Sequence, residues 1–138
     1  MTTVLNPYIS FPGNARQALE FYEGVFGGTL NLNTFGEYGE QGAPGADNIM
    51  HGQLESKSGF TIMGADNPPG EDALKPGNNF SVSLSGDDAD ELRGYWEKLS
   101  DGGSVSVPLE KQMWGDEFGM CVDQFGIAWM VNIAQPQA

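Results

Sequence analysis

The chain has 138 residues, 39% of them hydrophobic and 18% charged, which is enough to bury a core without disulfide or metal staples and too apolar for wholesale disorder. The 19 acidic residues against 6 basic ones give a formal net charge of -13; this repels phosphate backbones and anionic lipid, so neither nucleic acid nor a membrane is expected as a partner. Cys121 is the single cysteine, so no intrachain disulfide forms, and no apolar run approaches the ~20 residues of a spanning helix.

The opening segment, MTTVLNPYIS, lacks the basic-then-apolar pattern of a signal peptide, and a cytoplasmic location is expected. Tyr8 to Phe11 alternates, with Ile9 and Phe11 on one side and Tyr8 and Ser10 on the other, as in a half-buried strand. Asn14 is placed to cap a following helix, with Gln17 completing a capping box. That helix carries Ala15, Ala18, Leu19, Tyr22 and Phe26 on one stripe and ends at Gly27-Gly28. Strands are predicted over Leu30 to Phe35, Ile49 to Leu54 and Phe60 to Met63. The segment Gly36 to Asn48, rich in Gly and acidic residues, reads as a mobile loop over a pocket edge or as a plain insertion. Asn67 to Asn79, with Pro68-Pro69-Gly70 and Pro76-Gly77, reads as a linker.

The pattern then repeats at an offset of 73: Tyr8 to Asn14 lies over Ser81 to Asp87, with Ser10 on Ser83, Gly13 on Gly86, Leu19 on Leu92 and Tyr22 on Tyr95. Val82 and Leu84 alternate with Ser81 and Ser83. Asp87 is the expected cap of a second helix with Leu92, Tyr95, Trp96 and Leu99 on its apolar stripe, ending at Gly102-Gly103. Strands are predicted over Val105 to Leu109, Gly119 to Asp123 and Ile127 to Ile133. The expected architecture is α+β: two β-α-β-β-β modules, over about 4–66 and 79–134, joined by a linker at about 67–78, in one domain with helices on one face of the sheet.

The segments Asn6-Pro7-Tyr8-Ile9-Ser10-Phe11, Gly13-Asn14, Ala18-Leu19-Glu20-Phe21-Tyr22 and Phe26-Gly27-Gly28 resemble PhnB-like proteins of the vicinal oxygen chelate superfamily. So do Ile49-Met50-His51, Met63 to Asp66 with Pro68-Pro69, Trp114-Gly115-Asp116 with Phe118-Gly119, and Asp123-Gln124-Phe125-Gly126 with Trp129-Met130. That superfamily includes glyoxalase I, bleomycin- and fosfomycin-resistance proteins and extradiol dioxygenases. The resemblance implies paired βαβββ modules in a cupped mixed sheet, the glyoxalase/bleomycin-resistance fold, usually as a homodimer. It also implies metal ligands at the first and last strands of a module. Carried over, those positions fall at Tyr8 (or Pro7), Ser81, Met63 and Met130, none of them a good ligand for zinc, nickel, iron or manganese. No cofactor is therefore expected; a divalent metal held by other residues stays open.

His51 is the only histidine. If Met50, Gly52 and Leu54 pack under the helices, His51 and Gln53 face the concave side, where the histidine is a candidate general base, hydrogen-bond donor or metal ligand, or else a structural residue. Tyr8, Ser10, Thr61, Met63, Ser81, Ser83, Ala128, Met130 and Asn132 share that face, either as the lining of a ligand pocket or as a filled barrel interior. Trp114 to Gly119 reads as a turn, with Trp114 as a cap over a cationic or flat ligand in the alternative reading. Cys121, beside Asp116, Glu117 and Asp123, reads as packing. Three readings stay open: binding of a small organic molecule, a basic one if the acidic surface serves more than solubility; lyase or isomerase chemistry with His51 as the catalytic group, aided by Glu37, Glu55 or Asp116; or a dimeric scaffold with no ligand.

Overall fold

The computed structural model describes residues 3–37, 45–68 and 73–135. It divides into two compact units, Met1–Pro76 and Gly77–Ala138, each with its own helix and four-stranded sheet. The first unit runs β1 (Tyr8–Phe11), α1 (Ala15–Phe26), β2 (Thr29–Thr34), a short 3-10 turn at Phe35–Glu37, β3 (Ile49–Glu55) and β4 (Thr61–Asp66). The second runs β5 (Val82–Gly86), α2 (Ala89–Ser100), β6 (Ser104–Lys111), β7 (Glu117–Val122) and β8 (Ala128–Ile133). Strand order is β1-β4-β3-β2 in one sheet and β5-β8-β7-β6 in the other. The first and last strands of each unit pair in parallel and the remaining pairs are antiparallel. These are two mixed sheets built from β-α-β-β-β modules, the α+β class read from the sequence.

In the first unit, Ala15, Ala18, Leu19, Tyr22, Val25 and Phe26 of α1 are buried together with Ile9, Phe11, Leu54 and Ile62 of the sheet. The stripe expected on α1 is thus the face that packs. In the second unit, Leu92, Val131 and Ile133 form a buried cluster, with Leu84, Ala89, Tyr95, Trp96 and Leu109 packed around it. Gly119 lies under Trp96: a Cβ there would come within 2.8 Å of the indole and 2.9 Å of the Leu109 backbone. The missing side chain lets α2 approach the sheet.

Matching turns close each module. Ser56 Oγ accepts from the Phe60 backbone N–H between β3 and β4. The counterpart, Asp123, is buried between β7 and β8 and accepts from the N–H groups of Phe125 and Ile127 and from the Trp129 indole at 2.9 Å. A carboxylate with three donors satisfies the polar groups of the turn and fixes the largest side chain of that core.

The structure corrects the expected helix starts. Asn14 occupies the cap position of α1 but makes no side-chain cap bond, and its Oδ1 has no hydrogen-bond partner among the described residues. The cap comes from β4 instead: Asp66 Oδ1 accepts from Ala15 N at 2.8 Å and Oδ2 from Ile49 N at 2.7 Å. For α2 the cap is Asp88 rather than Asp87, its side chain accepting from Glu91 N at 3.1 Å. A carboxylate one residue nearer the first turn reaches the third helical N–H, the usual capping geometry. The end of α2 is as expected: the helix stops at Ser100, with Asp101 as C-cap and Gly102, φ 79°, in the left-handed region just past it.

The register of β3 also departs from the expected alternation. Its pairing with β2 slips between Asn33 and Thr34, so that Asn33 faces His51 while Thr34 faces Ile49. Met50 is the extra residue of a bulge, and the alternation shifts by one at that point. Ile49 is fully buried and Met50 only partly so, the reverse of the sequence reading; from His51 onward the expected alternation holds. The ends of the Gly36–Asn48 segment continue the hairpin, with Phe35 N donating to Asn48 O and Gly36 N to Ala46 O; residues 38–44, which include the rest of the expected mobile loop, lie outside the described residues.

Candidate functional site

In the first unit, alternation sends Ile9, Phe11, Gly52, Leu54, Ile62 and Gly64 toward α1 and leaves Tyr8, Ser10, His51, Gln53, Thr61 and Met63 on the opposite face. Gly52 and Gly64 face one another across β3 and β4. A Cβ on Gly52 would lie 2.3 Å from Leu19 Cδ1, so its absence lets α1 sit directly on the sheet. Strand pairing lines up one row across the far face: Tyr8 beside Met63, Met63 beside Gln53, and Gln53 beside Asn31. His51 is one step along β3, beside Asn33.

The polar members of this face are joined. The Tyr8 hydroxyl and His51 Nδ1 are 3.1 Å apart, with the ring centroids 5.6 Å apart and tilted by 34°. His51 Nε2 is 3.4 Å from Gln53 Oε1, and Gln53 Nε2 donates to Glu55 Oε1 at 3.4 Å. Residues 51, 53 and 55 share a face because they are spaced by two along a strand downstream of the bulge. The result is an open hydrogen-bonded row, Tyr8–His51–Gln53–Glu55, beside the Met63 thioether. Tyr8 is 53% exposed, and His51, Gln53 and Met63 are half-buried.

Of the candidate partners of His51, Glu55 belongs to this row. Glu37 does not: its carboxylate accepts from Thr34 N at 2.7 Å and closes the turn after β2. Asp116 belongs to the second unit, where it accepts from the Asn132 side chain and the Gln135 backbone and ties the β6–β7 turn to the end of β8. Ser81 stands just before β5. Ser83 pairs with Met130, Met130 with Met120, and Met120 with Val107. By sheet register, then, the counterpart of Tyr8 beside the last strand is Ser83, at an offset of 75, and not Ser81. The shift is two residues, so both serines keep the same face. This second row has hydroxyl, thioether and alkyl groups but no titratable one. Trp114 is 60% exposed on the turn after β6, and its ring meets Phe118 edge-on at 6.0 Å.

At the positions that the resemblance would give to metal ligands, the side chains are a phenol, hydroxyls and thioethers, a poor fit to a zinc, manganese or iron ion. Among the described residues, no group of three or more His, Cys, Asp or Glu is placed to hold a metal. Cys121 is 1% exposed, and burial, reinforced by the nearby Asp123 carboxylate, pushes its thiol up to about 11. The thiolate is the nucleophile, so folded protein at neutral pH is expected to resist iodoacetamide until denaturant is added. Rapid labelling of the native protein would contradict this placement. The sign of the linkage is also fixed: a raised thiol pKa supports the fold below pH 9.0, the ordinary value, and that support fades as pH rises from there toward about 11.

Sequence reasoning found the members of the row but not their connection, since nothing in the spacing of Tyr8 and His51 shows that the phenol reaches across β4. It missed Asp66, whose signal was an acidic residue at a position that alternation turns toward the core.

The family model for the glyoxalase/bleomycin resistance protein/dioxygenase superfamily matches residues 4–131. Protein YjdN of Escherichia coli is 28% identical, over 96% of this chain and 97% of its own length. The crystal structure of protein PA1353 from Pseudomonas aeruginosa is 38% identical, covers 98% of this chain and 100% of its own, and superposes with a TM-score of 0.85. A PhnB protein from Bacillus cereus shares the fold at 20% identity, a TM-score of 0.74 and coverage of 96% of this chain and 100% of its own. The chain belongs to the glyoxalase/bleomycin resistance protein/dioxygenase superfamily.

Proposed function

We propose that this superfamily member binds a small organic molecule on the face of its first sheet opposite α1, without a resident metal. The observation that carries the reading is the Tyr8–His51–Gln53 row beside Met63. A few fixed polar groups next to a soft apolar surface suit an organic ligand, the polar groups setting its orientation. The phenol, hydroxyls and thioethers at the positions that the resemblance would give to metal ligands support a metal-independent mode. The formal net charge of -13 favours a ligand carrying positive charge, as in bleomycin resistance. A homodimer in the cytoplasm is part of the same proposal, in line with the superfamily.

A thermal-shift screen with basic glycopeptides and aromatic amines tests it, because a ligand that binds only the folded state must raise the melting temperature. A hit is expected to lose about ten-fold or more in affinity in His51→Ala, the loss of roughly one hydrogen bond and its ring contact. Equal affinity in that variant would move the site elsewhere.

The hydrogen bond of 3.1 Å between Tyr8 and His51 favours a second reading, an enzyme of lyase or isomerase type. A histidine held to a phenol can take the phenol's proton as the Tyr8 oxygen takes one from a bound substrate. On that reading both Tyr8→Phe and His51→Ala lose turnover by 100-fold or more, as general-base catalysis contributes about that much. Unchanged turnover in His51→Ala would exclude it.

A further inference from the structure

The row has a direction, and the direction fixes what the site offers a ligand. A carboxylate accepts and does not donate, so Glu55 requires the NH2 end of the Gln53 amide. The flipped amide would set two acceptor oxygens against each other. With its nitrogen committed to Glu55, Gln53 turns its carbonyl oxygen toward His51 Nε2. That oxygen needs a donor, which places the proton of a neutral imidazole on Nε2 and leaves Nδ1 as an acceptor. The Tyr8 hydroxyl, 3.1 Å from Nδ1, then donates its proton to the ring. The contacts at 3.4 Å are long for hydrogen bonds. They still favour this orientation, because the flipped amide would set the Gln53 oxygen against the Glu55 carboxylate.

We propose that Glu55, acting through Gln53, holds His51 in its Nε2–H tautomer, so that Tyr8 presents only acceptor lone pairs and the ligand group it takes is a hydrogen-bond donor, an ammonium or a hydroxyl. Glu55 and Gln53 are positioning residues in this scheme. The ligand class rests on the binding reading above; the tautomer does not. The matching row of the second sheet, Ser83, Met130, Met120 and Val107, carries no titratable group.

Because His51 is the only histidine, its ring nitrogens are assigned without ambiguity. In nitrogen-15 spectra of the labelled full chain, with the ring deprotonated, the wild type is expected to show protonated Nε2 and bare Nδ1. Glu55→Gln, which keeps an acceptor for the Gln53 amide, should retain that pattern. Glu55→Leu should mix the two tautomers although no atom touching His51 has changed, and Gln53→Leu should do the same. A wild-type ring protonated at Nδ1, or an unchanged ring in Glu55→Leu, overturns the tautomer assignment. Benzylamine, benzyl alcohol and acetophenone then probe the ligand class through the Met63 methyl resonance. Shifts from the amine and the alcohol but not from the ketone are expected. A shift from the ketone as large as theirs overturns the donor requirement. Silence from all three overturns it too and counts against the binding reading, while the ring spectrum still decides the tautomer.

Discussion

Asp66→Ala is expected to destabilise the first unit by about 3–5 kcal/mol, a large share of the total stability of a domain. Asp66 is 3% exposed, and its two oxygens take the N–H of Ala15 at the start of α1 and the N–H of Ile49 at the β3 bulge. Removing it leaves two buried donors unpaired, at about 1–3 kcal/mol each. It also removes the helix cap, which Asn14 does not supply from its own position. Asp66→Asn keeps one acceptor oxygen and should fall between the two. Urea unfolding followed through the first unit measures the loss. A cost below about 1 kcal/mol for Asp66→Ala would mean that these N–H groups find water or another acceptor. The second module has Ile133 at the corresponding end of its last strand and uses Asp88 as a local cap. The two halves therefore solve the same problem at the helix start in different ways.

The second large effect lies at the other end of α1. Gly28 has a φ of 103°, and a Cβ built there would fall 2.0 Å from the Glu55 carbonyl oxygen. Two costs combine: a backbone conformation that L residues avoid, and an overlap with main chain that cannot move without breaking the β2–β3 ladder. Gly28→Ala is expected to cost more than about 4 kcal/mol, at the extreme of single substitutions. Its counterpart Gly103, where a Cβ would fall 2.1 Å from Val122 O, should be nearly as intolerant. Soluble, cooperatively folded Gly28→Ala protein with an unchanged unfolding midpoint would show that the turn relaxes in some other way. Because Gly28 presses on Glu55, a milder distortion there would also disturb the row that ends at Glu55.

These two positions show where sequence reading succeeds and where it stops. Paired glycines after each helix were visible as punctuation, and the alternation of β1, β4 and β8 was visible because one face of each strand is buried. The stripe on α1 was legible for the same reason. The bulge at Met50 was not, since one extra residue leaves composition unchanged and only reverses which neighbour is buried. The remote cap by Asp66 joins elements 51 residues apart in the chain, and no local rule connects them. The letters repeat at an offset of 73, whereas sheet pairing sets the strands at 75, so the letters point to Ser81 where the register has Ser83. At the site, the face of His51 and Gln53 followed from alternation. The bond from Tyr8 to His51 depends on which strands are neighbours, and parallel pairing of β1 with β4 is what brings them together.

The proposed ligand site is the Tyr8–His51–Gln53 face of the first sheet. The most direct measurement is a titration of methyl-labelled methionine and ring-labelled histidine in the full chain with the compounds that raise its melting temperature. The Met63 methyl and the His51 ring are expected to shift together and saturate at one affinity, which weakens about ten-fold in Tyr8→Phe. Saturating shifts at Met130 or Met120 with the Met63 and His51 signals unmoved would contradict it and transfer the site to the second module.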